Sequence, residues 1–163
     1  MKRVPLGYRP INPRLQTNFI DSCAFDPKHS PEDQASMRIF SLCENQKIVL
    51  NIAHSNLKEI DHPNTPEWVK RKSIGLIYSI KTGLNNQELE LKAKILKILA
   101  GNGKPDNMVK DAEHVFEASK YAGYFITVDV RILKRKNALS TICSAKIVKP
   151  SEFLAIYDSY PEV

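Results

Sequence analysis

Four acidic residues sit where carboxylates do chemistry. Asp21 closes the short apolar run Phe19-Ile20, and Asp129 closes a second run, Tyr124 to Val128. Asp111 falls in the first turn of the helical stretch feeding that second run, and Glu59 lies in the helical stretch after the apolar cluster Ile48-Val49-Leu50. Where strands alternate with helices, ligands collect at the carboxyl ends of strands and at nearby helix starts, so these four side chains are expected to converge on one edge. Like charges at close range raise one another's pKa, and a cluster of ionised acids needs a cation to persist. All-oxygen ligation suits Mg²⁺ or Mn²⁺ better than zinc. His29, His54, His62 and His114 make no H-E-x-x-H or comparable pair, so each reads as a surface or packing residue. Taken singly, Asp111 is an acid favoured at the positive end of a helix, Asp21 and Asp129 are polar stops, and Glu59 is a surface glutamate. Convergence is what separates chemistry from these ordinary roles.

The elements that must position the acids follow from punctuation and periodicity. Residues 1–16 carry Pro5, Pro10 and Pro13 among Lys2, Arg3, Arg9 and Arg14, a composition that reads as an extended basic arm ahead of a single domain over 17–163. A strand is expected at Thr17-Asn18-Phe19-Ile20-Asp21-Ser22. Ser30-Pro31-Glu32-Asp33 supplies a cap, a first-turn proline and first-turn acids for a helix to Leu42. Lys47 to Ile52 reads as a buried strand, followed by a helix over Asn56 to Ile60. Thr65-Pro66-Glu67 opens a helix expected to run to Lys81 and stop at Gly83; another runs from Asn86 to Gly101. After the Gly101–Pro105 loop, a helix over Met108 to Ala122 ends with Gly123 as its cap and feeds the strand Tyr124 to Val128. Ala145 to Val148 is the last strand and Pro150-Ser151-Glu152 opens a terminal helix. The alternation predicts an α/β fold, a three-layer α/β/α sandwich with a mostly parallel sheet.

Composition narrows the class. The 163 residues are 42% hydrophobic and 26% charged, ordinary globular usage that disfavours disorder. No apolar stretch approaches the roughly 20 residues that cross a bilayer, and Met1-Lys2-Arg3-Val4-Pro5 lacks the apolar core of a signal peptide. The expectation is a cytoplasmic protein with no membrane partner. Cys23, Cys43 and Cys143, odd in number and widely spaced, read as reduced thiols rather than a disulfide framework or zinc knuckles. Cys23 has no histidine placed by sequence to activate it and reads as a buried thiol. A net charge of +6 and a pI near 9.2 favour polyanions, nucleic acid first, although a lysine-rich solvated surface yields the same arithmetic. Glycine-rich nucleotide motifs are absent from the sequence.

Set in this order, the residues resemble a PIN domain, the fold of many metal-dependent ribonucleases, including VapC toxins of toxin–antitoxin pairs. Phe19-Ile20-Asp21-Ser22 is similar to the family's first strand, which ends in Asp followed by Thr or Ser. Lys110-Asp111-Ala112-Glu113-His114, Ala118, Ala122-Gly123 and Tyr124-Phe125-Ile126-Thr127-Val128-Asp129 are similar to its strongest signature, an acid opening a helix and a strand ending in Thr-x-Asp. Asp111 and Asp129 stand 18 positions apart, the family's usual interval, and Leu133 with Ile147 through Leu154 resembles its ending. The resemblance covers residues 17 to 156. Departures are Cys23, where many members carry Asn, Arg131, where members often carry an acid or Asn, and the basic arm.

What the resemblance implies is an Mg²⁺- or Mn²⁺-dependent endoribonuclease. Asp21, Glu59, Asp111 and Asp129 form its acidic quartet, with Asp61 and Glu67 as rivals for the place of Glu59. Thr127, Ser22 and Asp26 support the site. Products carry 5′-phosphate and 3′-hydroxyl ends. Lys104, Lys110, Arg131, Lys134, Arg135 and Lys136 are candidates for holding the RNA backbone, or else form a solvated loop. The implied partners are RNA, an antitoxin protein and a second copy in a homodimer. Two other readings stay open: a catalytically degenerate PIN-like module that binds RNA or protein, and a metal-dependent hydrolase of a small substrate.

Overall fold

The computed structural model describes residues 12–73, 75–76 and 83–161. Four short strands form one sheet: β1 (Thr17–Ile20), β2 (Val49–Asn51), β3 (Tyr124–Ile126) and β4 (Lys146–Val148). Their order is β2-β1-β3-β4 and every pairing is parallel. Parallel neighbours need crossovers, and the helices that supply them cover both faces. The helices are α1 (Glu32–Glu44), α2 (Leu57–Ile60), α3 (Glu67–Ser73), α4 (Asn86–Ala100), α5 (Val109–Tyr121), α6 (Val130–Leu133), α7 (Lys136–Leu139) and α8 (Pro150–Ser159).

Side chains alternate along each strand and so divide the core in two. Ile20, Tyr124, Ile126 and Val148 face Ile39 and Phe40 of α1 and Phe153, Leu154 and Tyr157 of α8. Phe19, Phe125 and Ile147 face Ile95 and Leu99 of α4, Ala112, Val115 and Phe116 of α5, and Ile132 and Leu139 beyond. This is the three-layer α/β/α sandwich that the alternation of strand and helix signals predicts. The central β3 is buried along its whole length.

Several boundaries differ from expectation for local reasons. The first helix starts at Glu32 with Pro31 as its cap residue and no side-chain cap, rather than with Ser30 as the cap. Its Glu32 turns instead to α8, accepting from the Ser151 N–H at 2.9 Å and the Ser151 hydroxyl at 2.5 Å. The helix expected to reach Lys81 ends at Ser73, and Gly75-Leu76 is a turn; residues 77–82 lie outside the described residues. Helix α5 is capped at Ala122 in extended conformation, and the Gly123 N–H donates to Thr17 O at 2.9 Å, tying helix end to sheet. Of the basic arm, residues 1–11 lie outside the described residues, but Pro13–Leu15 is a 3-10 turn packed on the domain. There Arg14 lies 4.0 Å over the Tyr157 ring and donates to Tyr160 O at 2.9 Å. The stretch after Asp129, for whose basic residues phosphate contact and a solvated loop are the two readings, forms α6 and α7. Helix α4 follows its signals, with a reciprocal Asn85–Glu88 capping box at its start and Gly101 at φ 54° closing it. No helix among the described residues is long and apolar enough to cross a membrane.

Phe153, fully buried, meets the Tyr124 ring edge-on at 5.6 Å and fastens α8 to the central strand. Phe153→Ala is expected to cost about 3–5 kcal/mol, read as a lower midpoint in urea unfolding with the slope unchanged.

Candidate functional site

The central pair of strands decides where the acids go. Ile20 and Ile126 are in register, so the residues after them leave the sheet side by side. This is the point where the strand order reverses, with β2 to one side of β1 and β4 beyond β3, and crossovers diverging there leave a crevice at the carboxyl edge.

Asp21 enters that crevice directly from β1. Its N–H donates to Ile126 O at 2.8 Å, and its Oδ2 accepts from Thr127 Oγ1 at 2.9 Å and from Cys23 Sγ at 3.3 Å. Burial raises its pKa above the usual carboxylate value, against the lowering effects of His114 and the two hydrogen bonds. Thr127 Oγ1 also accepts from the Asp129 N–H at 3.0 Å, so one hydroxyl joins the two strand ends.

Glu59 arrives on α2, after β2. Ser22 Oγ donates to its Oε2 at 3.0 Å, and His114 Nε2 lies 3.2 Å from its Oε1. The His114 bond holds the Glu59 carboxyl below its ordinary pKa despite partial burial. The rivals lie elsewhere: Asp61 is exposed, and exposed Glu67 pairs with Lys70 on α3.

Asp111 opens α5 and His114 follows three residues later on the same helical face. Burial pushes the Asp111 pKa up to about 6, with Asp129 and Asp21 adding to the rise and Arg131 and His114 opposing it. Its Oδ2 is buried without a hydrogen-bond partner; Arg131 Nη2 is 3.2 Å away, at ion-pair distance but outside hydrogen-bonding geometry. Asp129 caps α6, its Oδ1 accepting from the Arg131 N–H at 2.9 Å. The same guanidinium donates to both Asp129 oxygens at 3.2 and 2.9 Å. Burial alone would raise the Asp129 pKa, but these Arg131 contacts outweigh it and the net shift is downward.

His114 is the site residue that motif reasoning missed. It is 1% exposed and offers a nitrogen that, with one oxygen each from Asp21 and Glu59, lies in a set whose members are all within 4.8 Å of one another. Burial would depress its pKa, but the bond to Glu59 and the charges of Asp21, Glu59 and Asp111 reverse the sign. Its spacing from Asp111 was the available signal.

The remaining candidates divide. Ser22 and Thr127 orient site carboxylates, as described. Asp26 is exposed and pairs with Lys28, away from the cluster. Cys23, read as buried, is exposed as a residue while its sulfur turns toward Asp21; desolvation of the sulfur, then the Asp21 charge, raises the thiol pKa. Lys104, Lys110 and Lys134 are exposed, and the Lys110 charge reaches Glu59. Lys136 pairs with Glu152 at 3.4 Å. Arg135 is half-buried, its guanidinium filling the space that a side chain at Gly101 would need.

The donor set of Asp21, Glu59 and His114 fits a divalent cation, and Asp111 beside it carries a buried carboxylate oxygen with no hydrogen-bond partner. No protein-family model, curated protein or solved structure matches this chain.

The raised Asp111 pKa carries a stability consequence. A carboxyl whose pKa rises on folding favours the folded state while protonated, and that advantage is lost as pH climbs from about 3.8 through about 6. In chelator, Asp111→Asn is expected to be more stable than the wild type at pH 7.5 by on the order of 1–3 kcal/mol. The gain should vanish near pH 4, as read by thermal melting across that range.

Proposed function

We propose that this chain is a metal-dependent endoribonuclease that hydrolyses RNA phosphodiester bonds at the crevice beside β1 and β3. The observation that carries the reading is the approach of Asp21 and Glu59, with His114, to within 4.8 Å of one another at the carboxyl edge of a parallel sheet, with Asp111 and Asp129 in electrostatic reach beside them. The PIN resemblance, which reaches this arrangement from sequence motifs, supports the same assignment.

A divalent cation bound there, Mg²⁺ or Mn²⁺, supplies Lewis acidity toward a phosphate oxygen and lowers the pKa of a water toward ~7. The chain's own residues do the rest. Asp21 is held in one orientation by Thr127 and the β1–β3 register, and Glu59 by Ser22, so their oxygens are fixed before substrate arrives. Asp111 adds a buried carboxylate oxygen with no hydrogen-bond partner, 3.2 Å from Arg131. Exposed Lys104, Lys110 and Lys134 hold the flanking strand by its phosphates in a sequence-tolerant way. A toxin role, with an antitoxin protein over the crevice and pairing into a homodimer, rests on the resemblance alone.

One observation favours a second reading. Arg131 already pairs with both Asp111 and Asp129 and offsets one of their two charges, as a binding module that no longer recruits metal to that half would show.

The deciding experiment is cleavage of labelled single-stranded RNA with Mg²⁺ or Mn²⁺, against chelator and Asp111→Asn controls. Cutting that falls at least ~100-fold in either control is expected for a reaction that depends on the cation. RNA bound but uncut by folded protein with both metals would transfer the assignment to the binding module.

A further inference from the structure

The carboxylates do not form one ring. They separate into two halves with different chemistry. Asp111 and Asp129 share the Arg131 guanidinium, at 3.2 and 2.9 Å, so that half already holds a cation belonging to the chain. Asp21 and Glu59 share His114, whose ring is fixed from behind. His114 Nδ1 lies 2.7 Å from Ser55 Oγ, and the Ser55 backbone N–H donates to the Glu117 carboxylate at 3.2 and 3.3 Å. A histidine whose far nitrogen is anchored in this way presents the near one in a defined direction, the arrangement that outer partners give to ligating histidines. Here the near nitrogen, Nε2, points at Glu59.

We propose, building on the nuclease reading, that the centre takes a single divalent ion through Asp21, Glu59 and the Nε2 of His114, and that this nitrogen makes it selective for first-row transition ions over Mg²⁺. Three observations meet in it. The ligand atoms lie within 4.8 Å of one another. Asp111, a residue only 8% exposed, stands between the halves: its Oδ2 makes an ion pair with Arg131 at 3.2 Å but no hydrogen bond, and its carboxylate interacts electrostatically with both Asp21 and His114. Arg131 occupies the half where a second ion would sit. Mg²⁺ sheds water reluctantly and takes oxygen ligands, whereas imidazole favours the transition series. Mn²⁺ is the weakest binder of that series, which makes it the most demanding probe of the preference.

The test is calorimetric titration of the full chain with Mn²⁺ and with Mg²⁺, joined to pulsed EPR of the Mn²⁺-loaded protein. Expected are one Mn²⁺ per chain, ¹⁴N modulation from a directly bound imidazole, and loss of that modulation in His114→Gln. Mn²⁺ affinity should fall about 10–100-fold in His114→Gln and about 10-fold in Ser55→Ala, with Mg²⁺ affinity moved less than ~3-fold. Should His114→Gln fail to fold, the wild-type modulation and the Ser55→Ala affinities decide the matter. One Mn²⁺ bound without nitrogen modulation, or two ions per chain, overturns this proposal and leaves the nuclease reading standing. No binding of either ion overturns both.

Discussion

Burial of carboxylates in one crevice, with their mutual repulsion added to the cost of desolvation, is the constraint around which this structure is arranged. Burial raises the pKa of Asp21 and of Asp111, Glu59 adds to the first and Asp129 and Asp21 to the second, and the chain answers with cations and donors of its own. Arg131 spans Asp111 and Asp129, His114 leans on Glu59, and Thr127 and Cys23 donate to Asp21. The Asp111 oxygen left without a hydrogen bond shows that the compensation is incomplete. A buried polar network that is only partly satisfied costs stability, and such costs are commonly met where function requires them.

The fold holds that arrangement in place. Phe19 and Ile20 of β1 and Tyr124, Phe125 and Ile126 of β3 are buried on both faces, so the ends of β1 and β3 cannot shift without disturbing two cores at once. That rigidity is what allows Thr127 to serve Asp21 and the Asp129 backbone together. Glu59 and Arg131 reach the site on four-residue helices, α2 and α6, and are held there by side-chain partners, Ser22 and His114 for Glu59 and Asp129 for Arg131.

Much of this was legible from local pattern. The apolar runs Phe19-Ile20 and Tyr124 to Val128 name the central strands, and a residue that follows a parallel strand is placed at the sheet's carboxyl edge wherever the other elements lie. Asp21, Asp129 and Asp111 therefore reach the crevice from sequence alone. His114 did not, because its role depends on Ser55 and Glu59, 59 and 55 residues away, and no local pattern reports such partners. Arg131 was legible as a basic residue beside Asp129 but not as the bridge to Asp111, since that contact requires α5 and α6 to meet. The signal at Ser30-Pro31 places the start of α1 to within a residue, but the side-chain cap it implies is absent, and Glu32, buried against the start of α8, answers to a tertiary partner.

The most direct measurement is anomalous diffraction at the manganese edge from crystals of the full chain soaked in Mn²⁺. One peak is expected, bounded by Asp21, Glu59 and His114, with Asp111 beside it and Arg131 still against Asp129. A crevice with no peak at saturating Mn²⁺, its carboxylates satisfied by Arg131 and His114 alone, would contradict a metal centre there.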